Sequence, residues 1–157
     1  MESTDQHILS LLARDGRMSY TEIGRETGLS TSAAQQRVRR LEQRGVITGY
    51  HASIDPEALG RSLTAYISVR PLDPSTDDAT PGLLTGLTQI TSCYSVAGDA
   101  SYLLKVQVGS TTELDTLLTQ IRQSANVTTM TTVVLTTVFQ DRPLVPAVAD
   151  LPSSVVE

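Results

Sequence analysis

Residues 30–45, "STSAAQQRVRRLEQRG", concentrate the side chains of this sequence best suited to hold a polyanion. Arg37, Arg39, Arg40 and Arg44 face a single acid there, Glu42, for a local charge of +3. A guanidinium offers a planar fork of donors that fits a phosphate or the edge of a guanine, and a glutamine amide fits the edge of an adenine. Gln35, Gln36 and Gln43 lie among the arginines. Ser30, Thr31 and Ser32 precede them, where hydroxyls and free backbone N–H groups can hold a phosphate at a helix start. The chemistry implied is recognition of double-stranded DNA, and the competing reading is a solvated charged helix face.

A second stretch, "SVAGDASYLLKVQV" (residues 95–108), sets a tight polar turn, Gly98-Asp99-Ala100-Ser101, before an alternating run that starts at Tyr102. On the residues alone this is either a hairpin corner, for which Gly and Asp are the usual choice, or a small polar site. Catalytic chemistry has little to draw on. His7 and His51 have no partner at ligand spacing, and no phosphate loop or paired-acid motif is present. The one cysteine, Cys93, has no basic neighbour and reads as a small buried hydrophobe. The sequence therefore predicts a protein that is not an enzyme and needs no metal or cofactor.

The chain as a whole is acidic, with a net charge of −5 over 157 residues, and this average hides the basic stripe. Residues 1–60 hold seven arginines and no lysine against eight acids, and residues 61–157 hold five basic residues against nine acids. With 39% hydrophobic and 18% charged residues the composition is globular. No apolar run approaches a membrane span, and the opening "MESTDQH" lacks the basic-then-apolar pattern of a secretion signal. Cytoplasmic residence, without a membrane partner, is the expectation.

The elements that must position these residues change period near residue 45. Ser3 or Thr4 can cap a first helix carrying Ile8, Leu11 and Leu12, with Gly16 at its end. Ser19 or Thr21 opens a short second helix, "TEIGRET", ended by Gly28, and the third runs from the hydroxyls at 30–32 to Gly45. Three helices with a glycine turn between the last two make a helix-turn-helix over residues 1–46. Residues 47–61 read as a connecting strand and a turn. Beyond them "LTAYISV" alternates, "PLDPSTDDATPG" reads as a polar loop, and Leu83, Leu84, Leu87 and Ile90 share a helical stripe. "CYSVAG" and "SYLLKVQV" read as strands, Leu114, Leu117, Leu118 and Ile121 as a helix face, and "VTTMTTVVLTTVF" as a last strand. The order β-α-β-β-α-β over residues 62–141 is the split ferredoxin-like arrangement, so the class is α+β. Its helices would cover one sheet face, and Val and Ile on the other would require a partner, which predicts a homodimer. The tail, 142–157, with Pro143, Pro146 and Pro152, reads as extended or disordered.

On a helical wheel Ala34, Val38 and Leu41 form the buried stripe of the third helix. Ser32, Gln36, Arg39, Arg40 and Gln43 lie opposite, with Gln35 on the flank. Arg37 sits about 65° from the buried centre, a position for bracing the domain or meeting a phosphate but not for reading a base.

Taken together these stretches resemble the Lrp/AsnC family of bacterial and archaeal transcriptional regulators. The residues that carry the resemblance are "DQHILSLLARDGRMSYTEIG", "GLSTSAAQQRVRRLEQRGVITGYHASIDPEALG", "CYSVAGDASYLLKV" and "NVTTMTTVVL", over about residues 3–140. The resemblance implies a DNA-binding domain, a connecting strand and a C-terminal domain that assembles dimers, often into rings such as an octamer of four dimers. It further implies an effector, usually an amino acid, bound in a cleft between dimers. The positions matching the family's effector turn are Gly98, Asp99, Ala100, Ser101 and Tyr102, with Thr132 on the last strand. Many members carry Asp where Ser101 stands, and a serine meets an ammonium or a carboxylate only with a neutral hydrogen bond. The regulator so implied binds pseudo-palindromic operators and is nucleoid-associated. The alternative is an architectural DNA-binding protein that needs no effector.

Overall fold

The computed structural model describes residues 2–145. The chain divides into two compact units, one of residues up to Ser53 with the described residues from Phe139, the other Ile54–Val138.

The first unit holds three helices, α1 (Ser3–Leu12), α2 (Tyr20–Thr27) and α3 (Thr31–Gln43). Ile8, Ile23, Ala34, Val38 and Leu41 form its core, with Leu9, Leu12, Met18, Tyr20, Leu29 and Ile47 packed around them. Of the two openings offered for α2 the structure takes Ser19 and not Thr21: the Ser19 hydroxyl accepts from the Glu22 N–H at 3.2 Å, and the Glu22 carboxylate accepts from the Ser19 N–H at 2.8 Å. Gly28 ends α2 at φ +72°, in the left-handed region that glycine tolerates. A side chain at Gly24 would place its Cβ 2.6 Å from the Leu29 carbonyl oxygen, so this glycine lets α2 lie close against the turn into α3.

The ends of α1 differ from expectation. Its N-cap is Glu2, without a side-chain capping bond, and Ser3 and Thr4 lie inside the helix. Its C-cap is Ala13 in a right-handed conformation, so Gly16 falls in the following turn, where its Cα faces the Tyr50 ring.

The second unit is a four-stranded antiparallel sheet, β1 (Leu63–Pro71), β2 (Ile90–Ser95), β3 (Tyr102–Val108) and β4 (Val127–Val133), in the order β2-β3-β1-β4. With α4 (Thr80–Leu84) and α5 (Thr111–Ala125) this is the expected β-α-β-β-α-β order. Ala65, Ile67, Val69, Leu104, Val106 and Val108 face Leu114, Leu117, Ile121 and Ala125 of α5. The alternation in β3 holds, with Tyr102, Leu104, Val106 and Val108 all buried.

Four details depart from the pattern. The polar loop contains a 3-10 stretch, Pro74–Ala79, and α4 begins within it at Thr80, which is fully buried. The helix is therefore earlier and shorter than the leucine stripe suggests: Leu83 is exposed, Leu87 lies beyond the helix end, and Ile90 opens β2. A one-turn helix leaves the inner side of β2 partly uncovered, so Cys93, on the core face opposite Leu104, is exposed. β4 ends at Val133, opposite Ala65, and one further bond, Val134 N–H to the Thr64 carbonyl at 2.9 Å, carries it to within a residue of where β1 begins at Leu63, so the last strand is shorter than its β-branched run.

The open sheet face is mixed and does not carry the expected Val and Ile: Tyr66, Leu103, Tyr94 and Met130 share it with Thr64, Lys105, Gln107 and Thr132. In the connector, residues 48–55 pair with no strand among the described residues, while Glu57–Leu59 form the expected helical turn, closed by Gly60. Residues 146–157 of the predicted tail lie outside the described residues.

Candidate nucleic-acid interface and effector turn

α3 presents the surface that its sequence implied. Ala34, Val38 and Leu41 are buried, whereas Ser30, Thr31, Ser32, Gln36, Arg39, Arg40 and Gln43 are exposed and Gln35 is half-buried. Ser30 is the N-cap, its hydroxyl accepting from the Ala33 N–H at 3.2 Å and lying 3.2 Å from the Ser32 hydroxyl. The Thr31 hydroxyl lies 3.4 Å from that of Thr21, tying the start of α3 to α2. Arg39, Arg40 and Arg44 make no ion pair among the described residues, which leaves three guanidinium groups for an external anion.

The fourth arginine is engaged. Arg37 Nη1 donates to Glu2 Oε2 at 2.7 Å and to Asp5 Oδ1 at 2.8 Å, and these two bonds raise its already high pKa further. Neither acid stood out in the sequence, although a signal existed: Asp5 shares the helical stripe of Ile8 and Leu12, and an acid on an apolar stripe calls for a cation. Glu42, the single acid of the stripe, accepts from the Tyr50 hydroxyl at 2.9 Å, and burial together with that carboxylate pushes the phenol up to about 12.

The turn before β3 is closed by two backbone bonds, Val96 N–H to the Ser101 carbonyl and Ser101 N–H to the Val69 carbonyl, both 3.0 Å. Gly98 sits at φ +148°, a conformation that L side chains rarely adopt. Asp99 is exposed, and Ala100 and Ser101 are half-buried. Tyr102 points into the core and its hydroxyl donates to the Asp77 carbonyl at 3.0 Å, with burial pushing the phenol up. Thr132 stands opposite Tyr66 on the other face of the sheet, whereas Tyr102 stands opposite Val69. One chain thus gathers Gly98, Asp99, Ala100 and Ser101 but does not bring Thr132 to them.

The AsnC-type helix-turn-helix domain matches residues 1–42, and the Lrp/AsnC ligand-binding domain matches residues 64–144. The chain belongs to the Lrp/AsnC family. It is 47% identical to the HTH-type transcriptional regulator LrpA of Mycobacterium tuberculosis, over 93% of this chain and 97% of that protein. It is 35% identical to the leucine-responsive regulatory protein of Escherichia coli, over 92% and 91% of the two chains. Among solved structures it is similar to the feast or famine regulatory protein of M. tuberculosis complexed with L-methionine, with a TM-score of 0.88 at 47% identity over 92% of this chain and 99% of that one. It is also similar to E. coli AsnC, with a TM-score of 0.86 at 26% identity over 93% and 99%. This Lrp/AsnC chain is accordingly a transcriptional regulator with a DNA-binding helix-turn-helix and no enzymatic role, as its relatives are named. Among the described residues no helix is long and apolar enough to cross a membrane.

Proposed function

We propose that this regulator binds pseudo-palindromic operators as a dimer-based assembly and changes that assembly on binding an amino acid. The observation that carries the reading is the exposed face of α3, where Gln36, Arg39, Arg40 and Gln43 stand clear of the domain. Gln35 and Gln36 read base edges, Arg39 and Arg40 meet phosphates, and Ser30, Thr31 and Ser32 hold the helix start against the backbone. Paired helices of a dimer lie about 34 Å apart, one turn of DNA, which sets the half-site spacing.

Dimers form through the open sheet face, where Met130 is 70% and Tyr94 52% exposed, and four dimers close an octamer in the cytoplasm, associated with the nucleoid. The effector lies at Gly98, Asp99, Ala100, Ser101 and Tyr102, with Thr132 supplied by the assembly. The M. tuberculosis relative solved with L-methionine supports an amino acid. One observation favours a second reading, an architectural protein without effector: Ser101 is neutral, so an ammonium group meets no charge at that position.

Two experiments test the reading. Gln36→Ala relaxes base preference in a selection from random duplexes, and an unchanged preference removes Gln36 from the groove. A thermal-shift screen of the twenty amino acids separates effector from architectural function, since a ligand at about 100 times its Kd adds about 2.7 kcal/mol. DNA binding with no shift for any amino acid favours the architectural protein.

A further inference from the structure

α1 and α3 meet at a cation held by two anions. The Arg37 side chain is 25% exposed, that of Asp5 10% and that of Glu2 66%. Two carboxylates around one guanidinium leave a local excess of negative charge. Drawing Arg37 away to a phosphate would strand the Asp5 carboxylate nearly buried and alone, a larger cost than an exposed phosphate contact returns.

The clamp adds a charged contact to α1 beside the other holds on α3, its apolar stripe, Thr31 against Thr21 and Glu42 against Tyr50. Two of the three buried residues of α3, Ala34 and Val38, are small, and Leu41 is the single large one. Side-chain tips lie about 5–6 Å from a helix axis, so a rotation of about 20° moves a tip by about 2 Å. That exceeds the tolerance of a hydrogen bond to a base edge. Two directional bonds from Arg37 Nη1 to carboxylates of α1, on the flank of the stripe, add a restraint on that rotation.

We propose that Asp5, with Glu2, is a positioning residue for base reading: through Arg37 it fixes the rotation of α3, and Arg37 serves as a strut and not as a phosphate ligand. The proposal rests on the DNA-binding reading above and adds residues of α1, which need not touch DNA, to its specificity.

The test uses the full chain, a duplex selected by the parent protein from a random pool, and a scrambled duplex of the same composition. Fluorescence anisotropy measures both affinities between about 50 and 200 mM salt, a range over which phosphate contacts are counted by the slope. In Arg37→Gln the selected-to-scrambled ratio falls about tenfold, the scale of one base contact, while the salt slope stays at the parent value. Arg37→Lys keeps the charge and, because one nitrogen makes both bonds, can keep both carboxylates and with them the preference. Asp5→Asn, which keeps Arg37 and its volume, decides the matter should Arg37→Gln unfold, and it too lowers the ratio.

A ratio unchanged in Asp5→Asn overturns the proposal. So does an Arg37→Gln slope reduced by about 0.9 per helix, since Arg37 would then be a phosphate contact. A parent protein that bound no duplex would overturn the DNA-binding reading and this one with it, whereas either of the former results leaves that reading standing.

Discussion

Arg40→Ala isolates the electrostatic share of operator binding. Arg40 is exposed and makes no ion pair among the described residues, so its removal leaves no carboxylate without a partner. Alanine favours a helix, which offsets the loss of a cation from the last turn of α3, and the melting temperature should scarcely move. Each phosphate contact contributes about 0.9 to the slope of log affinity against log salt, and a dimer carries two copies, so the slope flattens by about 1.8. Over a fourfold rise in salt, about 0.6 of a log unit, the parent then loses about twelvefold more affinity than the variant does. The assay is anisotropy at several salt concentrations on the selected and the scrambled duplex, and both must weaken alike, because a phosphate carries no sequence. An Arg40→Ala slope equal to that of the parent would refute the placement of Arg40 on the backbone. A loss confined to the selected duplex would move it to a base.

Three further outcomes follow from the geometry. Met130→Glu places a charge on the open sheet face at a side chain 70% exposed, so the chain folds but its dimer dissociates about tenfold or more readily, read by light scattering across a dilution series; an unchanged mass at every concentration removes that face from the interface. Gly98→Ala meets no atom within 4 Å, so its cost is the backbone alone at φ +148°, about 1–3 kcal/mol in thermal unfolding, and an equal melting temperature contradicts that conformation. The Glu22 carboxyl is held below its ordinary value by the Ser19 hydroxyl first and the Ser19 N–H second. Its folded pKa is depressed, so the stability it contributes is present above the ordinary carboxylate range and is lost as pH falls through the folded value. The melting-temperature gap between the parent and Glu22→Gln should therefore close on acidification from about pH 7 to pH 3, and a constant gap would contradict it.

What could be read in the sequence was what nearest neighbours along the chain decide. Ser19 (one of the two helix openings offered, with Thr21), Gly28 and the Ala34-Val38-Leu41 stripe are local signals, and each lies where its spacing put it. The alternation in β3 survived because every second residue meets α5. Apart from α4, whose early start is local, the failures share a cause in partners distant along the chain. Leu83 and Ile90 fit a helical stripe, but the Asp73 side chain, accepting from the Ser75 N–H at 2.9 Å, starts a turn early and α4 is over by Leu84. The pairing of the last strand ends within a residue of where β1 begins, short of its own β-branched run. Cys93 was expected inside because strands usually are covered, and it is exposed because the covering helix is one turn long. The Arg37 clamp spans 32 residues to Asp5, beyond the reach of any local pattern, and only the oddity of an acid on the stripe of α1 marked it.

Spacing along the sheet gives the proposed effector response a physical basis. The turn at Gly98 is anchored through the Ser101 N–H to the Val69 carbonyl, and Thr132 stands opposite Tyr66, three register positions away along β1. At about 3.3 Å per residue that is about 10 Å along the strand, too far for the head group of one amino acid to bridge, so an effector whose head group touches both the turn and a Thr132 must take them from different copies of the chain. Such a ligand binds the assembled form and not the isolated chain, and linkage then requires that assembly raise effector affinity by the same factor by which effector favours assembly. Amino-acid affinity measured below and above the dissociation range of the oligomer should differ by that factor. If the affinities are equal at both, the turn binds its ligand within a single chain and Thr132 has no part in the site.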